Sequence, residues 1–371
     1  MELAQVKTPD ELKRFIEFPY ALYKKDPNWA PPLISEMREM FSDKNPFWKH
    51  SEKALFLVSG PGGGTIGRIA AIIDENHNRF HGEKCGFFGF FECREDAAAS
   101  RILFDAALSF LRSRGMAIVR GPMNPSTNDE CGLLVEGPDE PAKIMMPYNP
   151  PYYADLISSA GFYKAKDLIA FVTDTGRVPA KRLSSISERV LKRNPAISVR
   201  PINKDDFENE VKIIMDIYNA AWEKNWGFVP FTDDEIFYMA GKLKRIVDPG
   251  LLQIAFYGRD PAGFIMTLPD INEALKKIRG RLTPLAALRF FYYFKKIKSI
   301  RVLTMGVKKR YHQMGIESLL YYRSLKEALE KGYKECEFSW VLEDNVMMMR
   351  AADMLSGKAY KRYRIFEKSL Q

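Results

Sequence analysis

The residues best suited to chemistry lie in one short segment, where basic side chains precede a glycine at a predicted helix start. A predicted strand over residues 299–307 leads into Lys308, Lys309 and Arg310, and the helix that follows begins near Gly315. The first amides of a helix have no partner within it and lie at the positive end of its dipole. Gly315 lets a ligand approach the backbone closely. The segment therefore predicts a cradle for a phosphate or a pyrophosphate.

The order of strand, turn and Gln-x-Gly-x-helix, with Gln313 and Gly315 in the turn, resembles motif A of the GNAT acyltransferase superfamily. The next strand, 335–341, then Asn345 with a helix and then Tyr360 resemble the C-terminal half of that fold. Two such folds in tandem are similar to the arrangement in N-myristoyltransferases and Fem-type peptidyltransferases. The whole sequence resembles a family of bacterial double-GNAT proteins.

The resemblance implies that acetyl-CoA or another acyl-CoA is the co-substrate. Its acyl group, most simply acetyl, would pass to an amine of a small molecule or a peptide. Main-chain groups of Met305 and Val307 would pair with the pantetheine arm like an added strand. The full set implied for cofactor binding is Met305, Val307, Lys308, Gln313, Met314, Gly315, Ile316, Glu317 and Asn345.

An amine must lose a proton before it attacks a thioester, so a general base is required. Glu337 and Asp344 are the carboxylates on or just after the strand beside the predicted site. Tyr360 is the tyrosine nearest the position where the superfamily places an acid that protonates the departing thiolate. The resemblance therefore implies Glu337, Asp344 and Tyr360 as catalytic residues.

The elements around this segment occur twice along the chain. Apolar runs over 54–58 and 65–74 predict a β-hairpin, and runs over 253–257 and 261–270 match it, with Gly67 corresponding to Gly263. After each hairpin the pattern predicts a central strand, a long helix, a strand, a short helix and a last strand with basic and aromatic residues. The matching order indicates a duplication.

The sequence thus predicts an α/β (α+β) protein of two GNAT-like domains, each a mixed, mostly antiparallel sheet flanked by helices. The predicted boundaries are 1–180 for the N-terminal domain, 181–195 for a linking helix and 196–371 for the C-terminal domain with motif A. In the N-terminal copy, Glu95 and Asp96 precede the long helix. Acidic residues favour a helix start but exclude a phosphate, so that cofactor loop is predicted to be degenerate.

A dense polar loop over residues 121–132 follows the predicted strand 117–120 of the N-terminal copy, and a Tyr-Asn-Pro-Pro segment comes soon after. Long ordered loops often line binding sites. We expect this loop either to be structural or to line a pocket for the amine acceptor. The candidate acceptor-binding residues are Asn124, Ser126, Asn128, Asp129, Tyr148 and Asn149.

Charge is distributed unevenly along the chain. The formal net charge is +9 in total, the sum of −3 in residues 1–150 (18 Lys and Arg against 21 Asp and Glu) and +12 in 151–371 (38 against 26). An insertion over 274–298 combines cationic residues with leucines and aromatics. The pattern is typical of a membrane-surface contact or a lid over an acyl chain, and equally of core packing with lysines that reach solvent.

The remaining composition narrows the class of protein. No apolar run is long enough for a membrane helix and no secretory signal opens the chain, so a cytoplasmic location is expected. The four cysteines form no CxxC pair and predict free buried thiols. The four histidines are scattered, and no metal site is predicted.

Two other functions stay open at this stage. Motif A has His312, Gln313 and Glu317 where the superfamily usually has other residues, which favours a GNAT-fold binding or regulatory protein without turnover. A Fem-type aminoacyl or peptidyl transferase would use the basic insertion to bind tRNA, and nucleic acid is not expected otherwise. We expect substitution of Gly315 by Glu to abolish cofactor binding and leave the fold intact.

Overall fold

Both repeated hairpins fold as antiparallel strand pairs in the computed structural model, which describes residues 1–370. The chain forms two units that do not follow simple sequence order. Of the described residues, the first unit comprises 1–168, 274–291 and 361–370, and the second comprises 169–273 and 292–360. They therefore differ from the predicted ranges 1–180 and 196–371, and the division of the sequence into two repeats stays a prediction.

The first unit is built on a mixed, mostly antiparallel sheet. Hydrogen-bonded neighbours run in the order β1, β2, β3, β4, β5 and the C-terminal part of β15, and only β4 and β5 are parallel. The elements whose residues lie wholly in this unit are β1 (Glu2–Gln5), α1 (Pro9–Leu22), α2 (Ile34–Met40), β2 (Ser51–Ser59), β3 (Thr65–Asp74), α3 (Glu75–His81), β4 (Cys85–Cys93), α4 (Ala97–Ser113), β5 (Ile118–Gly121), β6 (Met123–Asn124), β7 (Glu130–Cys131), β8 (Leu133–Glu136) and α5 (Tyr153–Ser159).

Local sequence explains how these elements start and what they bury. Thr8 and Glu11 form a capping box at the start of α1, and Pro9 takes the first helical position, where a missing amide costs nothing. In α4, Leu103, Ala107 and Leu111 recur at helical spacing and are fully buried in the apolar core. This helix therefore covers one face of the sheet of the first unit.

The second unit also has a mixed, mostly antiparallel sheet, in which β14, β13, β12, β11 and β10 are neighbours in that order. Only β13 and β14 of these are parallel. Its elements are α6 (Ala180–Arg193), β10 (Ile197–Pro201), α7 (Phe207–Trp222), α8 (Asp233–Leu243), β11 (Leu252–Tyr257), β12 (Asp260–Pro269), β13 (Ser299–Val307), α11 (Ile316–Glu330), β14 (Glu335–Leu342) and α12 (Val346–Met354). Four elements contribute residues to both units: β9 (Tyr163–Asp174), α9 (Asn272–Leu275), α10 (Pro284–Phe294) and β15 (Lys358–Ser369).

Helix α11 is the central helix of the second unit. Its residues Leu319, Leu320 and Ala328 are buried in a cluster with Ile265 of β12 and Ile300 of β13. Helix α6 occupies the region where a linking helix is predicted. The predicted α/β class and the predicted sheet type are both confirmed.

Over residues 1–370, no helix combines the length and the apolar character needed to cross a bilayer. None of the four cysteines forms a disulfide and all four are buried, as the sequence predicts.

Candidate functional site

The strands β13 and β14 separate at the point where the sequence predicts a cofactor. Their parallel pairing starts at Ser299–Glu335 and ends at Val302–Phe338. Beyond that register β13 continues to Val307 and β14 continues to Leu342. We call these diverging ends, residues 303–307 and 339–342, the strand fork. Parted strands leave backbone groups that an extended ligand can pair with, and the predicted pantetheine contacts Met305 and Val307 lie on one arm of the fork.

A buried network of polar side chains lies at the base of the fork. Glu337 and Arg301 sit opposite each other in the β13–β14 register and have relative exposures of 0% and 1%. Arg301 Nε lies 3.5 Å from Glu337 Oε1 and donates to Ser339 Oγ at 2.8 Å. The Ser339 hydroxyl donates to Glu337 Oε1 at 2.6 Å. Burying a carboxylate requires a paired charge or hydrogen bonds, and here Glu337 has both.

The other oxygen of this carboxylate is bonded to Tyr360, whose hydroxyl donates to Glu337 Oε2. Tyr360 is only partly buried. The structure therefore brings together two of the three predicted catalytic residues, and it links the buried carboxylate to a group that reaches the surface. The third, Asp344, is exposed in the turn between β14 and α12.

The predicted phosphate cradle has its helix terminus in a form suited to an anion. Gly315 adopts φ +82° and precedes the first residue of α11, and no side chain caps this helix. The amides of Ile316 and Glu317 therefore lie in the uncapped first turn. Lys309 is exposed close by. Gln313 is also exposed and has a positive φ of 66°.

Much of the basic charge in this turn is neutralised by acidic residues that the sequence did not associate with it. Lys308 is 7% exposed and pairs with Asp216 of α7 at 2.5 Å. Arg310 and the Tyr311 hydroxyl both bond to Asp260 at the start of β12. The hydrogen bond from Tyr311, aided by Lys308 and Arg310, lowers the pKa of Asp260. The turn is therefore less cationic than its sequence suggests.

The outward side of Gly315 is closed by helix α6. A Cβ atom at Gly315 would lie 2.6 Å from Val190 Cγ2. The positive φ and the contact with Val190 both oppose a larger residue here, so we expect Gly315→Glu to destabilise the fold as well, and its effect on cofactor binding stays a prediction.

The remaining residues of the implied cofactor set have the following surroundings. Ile316 is fully buried in the core and Met314 packs against that core. Asn345 caps α12, with its side-chain oxygen accepting from Met348 N at 3.1 Å. Glu317 is partly exposed in the first turn of α11. Their roles toward a cofactor stay predictions.

The N-terminal copy differs at the equivalent helix start. Asp96 caps α4 by accepting from Ala98 N and Ala99 N, both at 3.0 Å. Its carboxylate thus takes up the amides that an anion would need. The cap is a physical reason why this helix start would not bind a phosphate, and the degenerate cofactor loop stays a prediction.

The N-terminal copy also fills the opening between its own parallel strands. The pairing of β4 with β5 ends at Phe87–Arg120, although β4 continues to Cys93. The short strand β6 lies against β4 there, since a Cβ at Gly89 would fall 1.7 Å from Met123 O. Asn124 accepts from Phe90 N at 2.6 Å. The chain itself therefore occupies the place in the first unit that corresponds to the strand fork of the second unit.

The other residues of the predicted acceptor pocket all lie in the first unit. Asn149 is 5% exposed and uses its amide on Leu134 N, Leu134 O and Pro150 O, at 2.8, 3.1 and 3.0 Å. Ser126 Oγ donates to Asp129 Oδ2 at 2.8 Å and accepts from Asn128 N at 3.1 Å. Tyr148 donates to Asp26 Oδ2 at 2.7 Å. These contacts all lie within the first unit, and the assignment to an acceptor pocket stays a prediction.

Sequence reasoning missed Arg301 and Ser339. Arg301 lies in an apolar strand, and a charged residue in such a position is a signal for a buried partner. Sequence reasoning also missed Glu92 of β4, a partly buried carboxylate that accepts from Tyr23 at 2.5 Å and from Tyr153 at 2.8 Å. Burial raises the pKa of Glu92.

Comparison with known proteins gives two full-length relatives. The bacterial ceramide synthase of Caulobacter vibrioides is 38% identical over 381 residues, which cover 100% of this chain and 98% of the relative. Protein YghO of Escherichia coli is 36% identical over 370 residues, which cover 97% of this chain and 93% of the relative. No protein-family model matches the chain.

Solved structures show the same fold at low identity. A tandem GNAT protein from the clavulanic acid biosynthesis pathway has a TM-score of 0.62 at 13% identity, with coverage of 100% of this chain and 99% of that one. A GCN5-related N-acetyltransferase from Sphaerobacter thermophilus has a TM-score of 0.53 at 11% identity, with coverage of 100% and 96%. The chain therefore has the tandem GNAT fold and belongs to the family that includes the bacterial ceramide synthase of C. vibrioides and YghO of E. coli.

Proposed function

We propose that this protein is an N-acyltransferase that forms a ceramide-type amide from a long-chain acyl thioester, with acyl-CoA as the donor, and the amine of a sphingoid base. The observation that carries the proposal is the Glu337–Tyr360 pair at the base of an open strand fork beside an uncapped helix. The relative named a ceramide synthase, 38% identical over the full chain, supports the substrate class. A long-chain donor thus replaces the acetyl donor expected from the sequence.

The residues at the fork fit an acyl-CoA. The backbone of Met305 and Val307 offers pairing for an extended pantetheine arm. The amides of Ile316 and Glu317 and the exposed Lys309 offer donors to the diphosphate. The thioester supplies an electrophilic carbonyl carbon.

Two residues of this chain would accept the proton that the acceptor amine loses. Glu337 is fully buried and both its oxygens are bonded, so an amine cannot reach it directly. As the nitrogen of the neutral amine bonds to the carbonyl carbon, the Tyr360 oxygen can accept the proton that this nitrogen loses while the tyrosine's own proton moves to Glu337. The carbon–sulfur bond then breaks and the thiolate leaves. Tyr360 donates a proton to the thiolate and recovers one from Glu337, so the phenol and the carboxylate end as they began.

The test is turnover with defined substrates. Purified protein is given acetyl-CoA or palmitoyl-CoA together with a long-chain 2-amino-1,3-diol, and both free thiol and the amide product are measured. We expect kcat/KM for palmitoyl-CoA to exceed that for acetyl-CoA by at least about tenfold, because each buried methylene adds to transition-state binding. Absence of thiol release with every pair of substrates would exclude the proposal.

A non-catalytic binding protein is the second candidate, favoured by the neutralisation of Lys308 and Arg310 by Asp216 and Asp260. In that case palmitoyl-CoA would raise the melting temperature without release of thiol.

A further inference from the structure

Helix α10 and the residues before it expose an apolar surface to solvent. Leu285, Leu288, Phe291 and Tyr292 are 78%, 70%, 62% and 56% exposed, and Leu282 just before the helix is 55% exposed. At 100° per residue these four helical positions fall on one side of α10. The opposite side consists of half-buried residues, including Phe290 and Phe294. A helix that is apolar all round is normally buried, so this exposed side calls for a partner.

The start of this segment is held firmly in the first unit. Ile34 N donates to Gly280 O at 3.0 Å, and a Cβ at Gly280 would lie 2.5 Å from both Pro32 O and Tyr20 Cε1. The exposed leucines that follow therefore belong to a helix that begins shortly after a segment packed against the first unit.

Basic residues surround the apolar surface and acidic residues are absent from the segment. Residues 274–298 contain eight Lys and Arg and no Asp or Glu. Arg289 borders the apolar side, and exposed Lys295 and Lys296 follow the helix. Lys296 Nζ lies 4.1 Å from the centre of the Tyr292 ring and bonds to its hydroxyl, so cation and aromatic group lie together at one end of α10.

We propose that Leu282–Tyr292 and the flanking basic residues form a docking surface for an anionic lipid bilayer. Apolar side chains enter the acyl boundary, tyrosine lies at the headgroup level, and lysine and arginine pair with headgroup phosphates. A second copy of the chain fits less well, since a two-fold contact would bring Arg289, Lys295 and Lys296 close to their own copies. The proposal does not depend on the proposed enzymatic function.

The test is co-sedimentation of the full chain with vesicles. The probes are phosphatidylcholine vesicles with and without about 30 mol% phosphatidylglycerol. Leu285→Ser/Leu288→Ser/Phe291→Ser removes the apolar side, and Arg289→Gln/Lys295→Gln/Lys296→Gln removes charge. Leu3→Ser/Leu329→Ser is the matched control, because these two leucines are also exposed but lie elsewhere. Thermal melts establish that each variant is folded.

We expect the native chain to sediment with the anionic vesicles and less at about 0.5 M NaCl. Both triple variants should lower the partition coefficient at least about tenfold, and the control should not. The proposal is overturned if the native chain binds neither vesicle, or if the apolar variant binds as well as the native chain. It is also overturned if the native chain is a dimer that the apolar variant separates while vesicle binding is nil.

Discussion

Glu337 is fully buried, so any proton that it exchanges with a substrate must pass through a neighbour. Tyr360 is that neighbour, and Arg301 with Ser339 fixes the other side of the carboxylate. Arg301 and Ser339 contact Glu337 and each other, and they act on a substrate only through Glu337, which makes them positioning residues. The chemistry at this scale thus rests on one buried acid and one partly exposed phenol.

Tyr360→Phe removes the hydroxyl and leaves Glu337 paired with Arg301. We expect kcat with palmitoyl-CoA and a sphingoid base to fall by about 10²-fold or more, with the KM for the donor little changed, because only the proton relay is lost. Glu337→Gln should be equally slow, and it should also lose about 3 kcal/mol of stability because buried Arg301 loses its counter-charge.

Glu335→Gln on the same strand is the control for both variants, and its activity and melting temperature should match those of the native chain. Native kcat in a folded Tyr360→Phe protein would rule out the relay. Steady-state kinetics and urea denaturation provide the two measurements.

Gly315 is the second residue with a clear expectation. Gly315→Ala places a Cβ at 2.6 Å from Val190 Cγ2 with φ at +82°, so we expect a loss of about 2 kcal/mol in the free energy of unfolding. Val190→Ala should recover part of that loss in the double variant because it relieves the contact and not the backbone strain. If the double variant loses the sum of the two single losses in urea denaturation, the Cβ at position 315 does not press against Val190.

At the scale of elements, the turn before α11 is held to the hairpin β11–β12 through Asp260. The pKa of this carboxyl is lowered below 3.8 in the folded protein. Its stabilising contribution is therefore present above pH about 4 and is lost as the pH falls through the lowered pKa.

Asp260→Asn should lower the stability at pH 7 by about 1 kcal/mol, a modest value because the group is partly exposed. The difference from the native chain should shrink toward zero as the pH falls below 4, since the native carboxyl then becomes neutral. Urea midpoints over that pH range test this, with exposed Asp353→Asn as control. If the difference in stability between the native chain and Asp260→Asn stays constant with pH, the negative charge of Asp260 does not stabilise the fold.

In the first unit, strand β6 packs against β4 beyond the point where the β4–β5 pairing ends. Gly89→Ala would place a methyl group 1.7 Å from Met123 O, so we expect a loss of about 3 kcal/mol or a shift of β6. Gly62→Ala meets nothing within 4 Å and should be nearly neutral. Equal melting temperatures for the two variants would mean that β6 does not pack there.

At the scale of the whole molecule, two activities would be combined in one chain: amide formation in the second unit and attachment to a bilayer through α10. If both proposals hold, Leu285→Ser/Leu288→Ser/Phe291→Ser should raise the KM for a vesicle-borne sphingoid base about tenfold. Its kcat and its KM for a short-chain soluble amine should stay native, because the reacting groups are untouched. An equal effect on both acceptors in kinetic assays would show that α10 acts on the site rather than on membrane access.

Local sequence by itself determined several features of this protein. The alternating apolar runs and glycine turns gave the hairpins β2–β3 and β11–β12, and the helical spacing gave α4 and α11. The predicted strand, the basic turn and Gly315 indicated the start of α11, which has no side-chain cap. Asp96 indicated the start of α4, which it caps. These are short-range properties, fixed by steric preference, periodicity and capping within a few residues.

Tertiary structure alone decided which distant side chains meet. Glu337 with Arg301, and Lys308 with Asp216, are pairs of residues 36 and 92 positions apart. Residues of β15 from the C-terminal end of the chain complete the sheet of the first unit beside β5. Such contacts depend on the order of the strands and the packing of the helices. A buried charge requires an opposite charge or hydrogen bonds, and the fold determines which partner lies within reach.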